Sequence, residues 1–184
     1  MTVAPAVCLN NPCLIAKERP PSVHDASSTY PFPHHIPSPM TDPHPGHKLP
    51  TTGIIEVRVR YVECDPMGVA HHASYLPWLE MGRTELLRAG GMSYADVEAA
   101  GYFLVITRLE IRYRRPIRYD DVLLITTAVA QSGRVKIEHS YQIVRKDDPT
   151  VILTTAASTL ACVGRDGAVR ELPALLSSHD SQTP

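Results

Sequence analysis

The segment Tyr61–Glu85, YVECDPMGVAHHASYLPWLEMGRTE, holds the residue types and spacings in this chain that could do chemistry. Asp65 stands before a proline and three residues ahead of Gly68, and His71 to Ala73 open a run with helical spacing. The first backbone N–H groups of a helix have no partner inside it and sit at the positive end of its dipole. A carbonyl placed there is polarised, and an oxyanion formed from it meets donors already oriented. A carboxylate held beside the same point can attack the carbonyl carbon or draw a proton from water. Gly68 is read as letting the backbone come close. Asp-Pro ahead of a glycine is also an ordinary turn in which the aspartate only organises the loop, and spacing alone leaves both readings standing.

Other groups nearby have their own bland and sharp readings. Glu80 is a second carboxylate on the helical run, and Arg83 three residues on would make it one half of an ordinary ion pair. Tyr75 falls on the apolar face, where it is core, with a hydroxyl that can reach a cleft. Cys64 neighbours Asp65, but no base stands at a spacing that would activate a thiol. His71 and His72 with Asp65 invite a metal reading; adjacent side chains on a helix point about 100° apart, so joint ligation is awkward and no metal is expected. His139 alternates with Ile137 and Tyr141 and reads as a satisfied core or interface residue outside the site.

These residues need elements to hold them. Ile55, Val57, Val59 and Tyr61 alternate with polar neighbours, a half-buried strand leading into the ECDPMGV loop. Tyr75, Leu79, Gly82, Leu86 and Ala89 then recur at helical spacing, and the Gly90–Gly91 pair predicts the stop. Pro77 in the first turns predicts a kink or a short opening turn. Ser93 with Asp96 three residues on predicts a capped short helix. Beyond Tyr102 the period becomes two: Leu109, Ile111 and Tyr113; Leu123, Ile125, Thr127 and Val129; Val135 to Ile143; and a run from Val151 to Val163. Short turns between the last strands predict antiparallel neighbours. The expected fold is α+β, an antiparallel sheet of about five strands wrapped around one long central helix. Such a sheet leaves edges to protect, so pairing with a second copy, as homo-dimer or homo-tetramer, is expected.

Composition sets the outer bounds. Residues 1–50 hold 11 of the 17 prolines and five of the nine histidines (His24, His34, His35, His44 and His47) without periodicity, so a disordered tail is expected there, with Met40 as an internal start. A second tail is expected over 177–184, leaving 51–176 as the folded domain. A net charge of -1 offers no polycationic surface for nucleic acid. No apolar run is long enough to span a bilayer, and the first residues lack the basic start and apolar core of a secretory signal. Cys8, Cys13, Cys64 and Cys162 match neither a zinc nor a redox spacing, so reduced thiols and a cytoplasmic setting are expected.

The Tyr61–Glu85 segment resembles the active-site signature of hotdog-fold acyl-CoA thioesterases, the 4-hydroxybenzoyl-CoA thioesterase-like branch, and is especially similar to the short-chain subgroup associated with the Tol-Pal system. The residues in register are Tyr61, Asp65, Gly68, Val69, His72, Ala73, Ser74, Tyr75, Glu80, Arg83, Thr84 and Glu85, with Tyr113-Arg114-Arg115-Pro116, Asp120-Asp121 and Leu172-Pro173 further on. The resemblance implies hydrolysis of an acyl-CoA thioester without metal or redox cofactor, Asp65 acting as nucleophile or general base. It gives the backbone N–H of His72 the thioester oxygen and its side chain a role in orienting substrate or water. Gly68, Val69 and Tyr75 would line the substrate groove, and Glu80 is the alternative carboxylate, since a related hotdog branch places its catalytic glutamate on the central helix. Arg112, Arg114, Arg115, Arg118 and Arg134 suit the phosphates of coenzyme A, acting near a subunit boundary, or are simply exposed charge. The alternative function is a hotdog module that binds acyl-CoA or acyl-carrier protein without cleaving it. His71 departs from the pattern, standing where relatives have an aromatic or aliphatic residue.

Overall fold

The computed structural model describes residues 50–177, so the expectations for the proline-rich tail and for residues 178–184 lie outside the described residues. Strand β1 (Thr52–Arg58) is followed by two short 3-10 turns, Tyr61–Glu63 and His72–Ser74. Next come helix α1 (Tyr75–Ala89), helix α2 (Tyr94–Ala99), and strands β2 (Phe103–Tyr113), β3 (Val122–Ser132), β4 (Lys136–Arg145) and β5 (Ile152–Val163). A last helical turn, α3, covers Ala174–Ser177. The five strands form one antiparallel sheet in the order β1-β3-β4-β5-β2, with the central helix packed against it.

Helix α1 buries Tyr75, Trp78, Leu79, Gly82, Arg83, Leu86 and Leu87, one stripe at three- and four-residue steps. Its first half packs on Leu123, Ile125, Ile143 and Leu153 from the helix-facing rows of the sheet. A second cluster joins Leu87 and Met92 to Val97 of α2 and to Ile137, Leu160 and Cys162. Gly82 stands where helix and sheet approach most closely: a Cβ there would overlap the Thr127 hydroxyl. The predicted stop is observed, with Gly90 closing α1 and Gly91 in the left-handed region at φ +84. The Ser93–Asp96 capping box is also present: Asp96 N–H donates to the Ser93 hydroxyl at 3.2 Å, and Ser93 N–H to the Asp96 carboxylate at 2.8 Å.

One predicted strand is shorter than its periodicity suggests. Tyr61 is 81% exposed and starts a 3-10 turn, because Arg60 N–H donates to the Glu63 carboxylate at 2.7 Å and bends the chain out of the strand. The Tyr61 ring meets Tyr119 edge-on at 5.7 Å. The opening turn expected near Pro77 is the 3-10 turn His72–Ser74, placed just before the helix proper. No helix among the described residues is long and apolar enough to cross a membrane.

Candidate active site

The loop between β1 and α1 is built from short hydrogen bonds around Asp65. Asp65 N–H donates to Val69 O at 2.9 Å, Gly68 N–H donates to Asp65 O at 2.9 Å, and Met67 N–H donates to Asp65 Oδ1 at 2.8 Å. The aspartate therefore organises its own loop with one carboxylate oxygen, and Oδ2 has no such bond among the described residues. Gly68 adopts φ +75, and among the described residues no atom beyond its own chain neighbours lies within 4 Å of where its Cβ would be. A glycine suits this position because its φ lies in the left-handed region.

The helix start follows directly. His71 is extended (φ -60, ψ 140) and caps the turn: its ring Nδ1 accepts from Ala73 N–H at 3.2 Å, and its carbonyl accepts from Ser74 N–H at 2.9 Å. His72 is the first residue of that turn, the position whose N–H has no acceptor within a helix. The two imidazoles do not diverge as a helical pair would. Because His71 lies outside the helix, the rings stack at 4.0 Å between centroids, and the His71 nitrogen is used by the cap.

Asp65, Val69, His72, Tyr75 and Arg115 line one open cleft, together with Tyr113 and Arg114 from the end of β2 and Ile117 beyond it. Tyr113 packs edge-on to Tyr75 at 4.8 Å, and its hydroxyl donates to His72 O at 3.4 Å, so the wall is tied to the helix start. Burial pushes the Tyr75 hydroxyl above its ordinary range, with Thr154 opposing. Burial also raises the Cys64 thiol, helped by the charges of Glu63, Asp65 and Asp121; it stays a thiol rather than a thiolate nucleophile. The side chains of Arg114, Arg115 and Arg118 have no carboxylate partner among the described residues, whereas Arg112 pairs with Glu110 at 2.8 Å.

Three predicted residues are not in the cleft lining: Gly68, which neighbours the lining residue Val69, and Arg134 and Glu80. Arg134 is paired with Glu171 at 3.5 Å beyond the β3 end. Glu80 is largely exposed and pairs with Arg83 at 3.2 Å, the ion pair anticipated from their spacing. Arg83 is itself buried, its guanidinium 5.4 Å from the Tyr94 ring centroid and 3.3 Å from the Tyr94 hydroxyl. His139 lies in the same region, between helix and sheet. It is buried as expected but not satisfied, since Nδ1 has no hydrogen-bond partner. Burial, and then the Arg83 charge, push its pKa down to about 4.

Sequence reasoning passed over Glu63 and Trp78. Glu63 is only 6% exposed, and its carboxylate takes the Arg60 guanidinium at 2.8 Å, the Arg60 amide and the Trp78 indole N–H at 3.0 Å. Burial alone would raise this carboxyl; the three donors outweigh it and hold it below the usual range. The Arg60-x-x-Glu63 spacing was the available signal, but nothing in the sequence points to Trp78 as the third partner.

A five-stranded antiparallel sheet on one central helix is the hotdog fold, and the model of the thioesterase-like superfamily matches residues 59–178; the chain belongs to that superfamily. YneP of Bacillus subtilis is 32% identical over 111 residues, which span 60% of this chain and 79% of that protein. The acyl-CoA thioester hydrolase YbgC of Escherichia coli is 32% identical over 107 residues, 58% of this chain and 78% of that one. Among solved structures, the DHNA-CoA thioesterase of Staphylococcus aureus superposes with a TM-score of 0.61 at 30% identity, covering 66% of this chain and 79% of its own.

Proposed function

We propose that this protein hydrolyses an acyl-CoA thioester to the free acid and coenzyme A. The observation that supports this best is the shared cleft of Asp65 and His72, a carboxylate residue and the first residue of the turn that opens the helix. The thioester carbonyl would sit at the His72 N–H, with Val69 and Tyr75 against the acyl and pantetheine parts and the His72 ring orienting substrate or water. Asp65 then either takes a proton from water, whose oxygen adds to the carbonyl carbon, or adds to that carbon itself to give an acyl-enzyme that water opens. In both routes the negative charge on the carbonyl oxygen meets an N–H already in place, the C–S bond breaks, and the thiolate leaves to be protonated. The guanidinia of Arg114 and Arg115, which line the cleft without a carboxylate partner among the described residues, suit the phosphates of coenzyme A.

Pairing of two copies along the free edge of β2, where Val105 and Ile106 are 42% and 49% exposed, accompanies this reading. Equilibrium sedimentation showing a monomer at micromolar concentration would remove it. The resemblance to the Tol-Pal-associated subgroup makes short acyl chains the first substrates to try. The test is thiol release from a panel of CoA esters by wild-type protein and Asp65→Asn. Turnover should fall by orders of magnitude in the folded variant. Near-wild-type turnover would transfer the role to Glu80, and tight acyl-CoA binding without any thiol release would favour the non-catalytic binding module.

A further inference from the structure

We infer that Glu63 is a positioning residue for this site, setting the geometry of Asp65 and His72 without touching substrate; the inference rests on the hydrolase reading above. Glu63 uses both its side chain and its backbone. Oε1 accepts from Trp78 Nε1 at 3.0 Å and from the Arg60 guanidinium at 2.8 Å, while Oε2 accepts from Arg60 N–H at 2.7 Å. Its carbonyl oxygen accepts from His71 N–H at 2.8 Å and from the Ser74 hydroxyl at 2.9 Å.

Residue 63 thereby holds both ends of the loop that carries the chemistry. Asp65 lies two residues after it, and His72 directly follows the residue bonded to its carbonyl. The Trp78 bond fixes the loop to the buried face of α1, one turn inside the helix that starts at the cleft residue Tyr75, and the Trp78 indole is fully buried. Between these anchors the Cys64–Ala70 bridge and the bond from Asp65 N–H to Val69 O leave the aspartate little freedom. An ionised carboxylate removed from water is costly unless its oxygens are occupied, and here three donors occupy them. For the same reason this carboxylate is not the reacting one: it is 6% exposed and lies outside the cleft lining. A displacement of about 1 Å at a reacting group can lower a rate roughly hundredfold. The predicted signature is therefore a loss in kcat with KM preserved.

Glu63→Gln keeps the side-chain size but sets an amide N–H against the Arg60 donors, so it disturbs the lock without opening a cavity. Its kcat should fall roughly 10- to 100-fold with KM within about twofold. Because the effect passes through Asp65, the same substitution made in Asp65→Asn should change the residual rate by less than about twofold. Equal proportional losses in the two backgrounds, or an unchanged kcat in Glu63→Gln, overturn the role. Should Glu63→Gln not fold, Trp78→Phe removes one donor while keeping an aromatic ring, and kcat loss at constant KM is expected there too; an unaltered kcat counts against the inference. Thiol release by the wild type separates the two claims. With release intact and Glu63→Gln unaffected, only the positioning role fails. Without release from any CoA ester, the hydrolase reading and this role fail together.

Discussion

The hydroxyl of Tyr113, the last residue of β2, donates to the carbonyl oxygen of His72 at 3.4 Å, joining an edge strand to the 3-10 turn just ahead of the central helix. The bond is long and exposed, so its deletion should cost less than about 0.5 kcal/mol of stability. Tyr113→Phe is expected to melt near the wild-type temperature yet lose a few-fold in kcat. Tyr113→Ala, which also strips the aromatic wall beside Tyr75, should in addition raise KM. Thermal melts and steady-state kinetics on the same preparations check both.

Gly68 has no neighbour to collide with but holds φ +75. Gly68→Ala should therefore cost roughly 1–2 kcal/mol through backbone strain alone. Gly68→Asn should cost less, because asparagine tolerates that region better. Denaturant unfolding of the two variants decides; equal costs would mean that side-chain crowding, not φ, sets the penalty.

Gly82 is the opposite case. An added methyl would meet the Thr127 hydroxyl, which is fully buried and lies on β3. Gly82→Ala should destabilise by about 1–3 kcal/mol despite alanine's better helix propensity. Thr127→Ala should relieve part of that cost in the double variant, a coupling that a double-mutant cycle measures directly.

Arg115 and Arg134 separate two readings of surface arginine. Arg115 lines the cleft without an acidic partner, while Arg134 is engaged by Glu171. Arg115→Ala should raise KM for a CoA ester about 5- to 30-fold while leaving KM for the corresponding pantetheine ester unchanged. Arg134→Ala should move neither unless a second copy brings it to the cleft. Loss of kcat rather than KM in Arg115→Ala would argue against phosphate contact.

His139 gives a pH dependence of stability. Its folded pKa is depressed to about 4, below its ordinary value of 6.5. Between those values the unfolded chain binds a proton that the folded chain refuses, so stability rises with pH from about 4 to 6.5 and levels off above. The full effect is roughly 3 kcal/mol, at 1.36 kcal/mol per pKa unit. His139→Leu should flatten the melting temperature over that window relative to wild type. An unchanged slope would assign the dependence to other groups.

The order of elements was readable because period two and period 3.6 alternate cleanly along residues 54–163, and the capping residues Gly90, Gly91, Ser93 and Asp96 speak for themselves. Asp65, Val69, His72, Tyr75 and Arg115 do meet in one cleft. What failed to show were features decided in three dimensions. Tyr61 keeps the alternating pattern yet leaves the strand, because Arg60 and Glu63 close a local turn that competes with it. His139 alternates like a core residue, but the missing partner for its Nδ1 depends on what the elements packed over it supply, Arg83 of α1 among them. His71 looked like a second helical histidine until the cap geometry placed it one residue outside. The Glu63–Trp78 bond spans 15 residues and carries no periodic mark.

The two strands that bracket the central helix in the chain, β1 and β2, end at opposite edges of the sheet and share no hydrogen bond. Each finds its neighbour much later, β1 in β3 and β2 in β5. During synthesis the whole Asp65 loop and the helix after it must therefore emerge, with an apolar stripe uncovered, before most of the surface that shields them exists. The β3-β4-β5 meander is the part made of near-neighbour pairings, and loop-closure entropy favours its assembly ahead of the edges. The pairings that close early thus lie in the C-terminal half of the domain, while the Asp65 loop and its helix come from the N-terminal half.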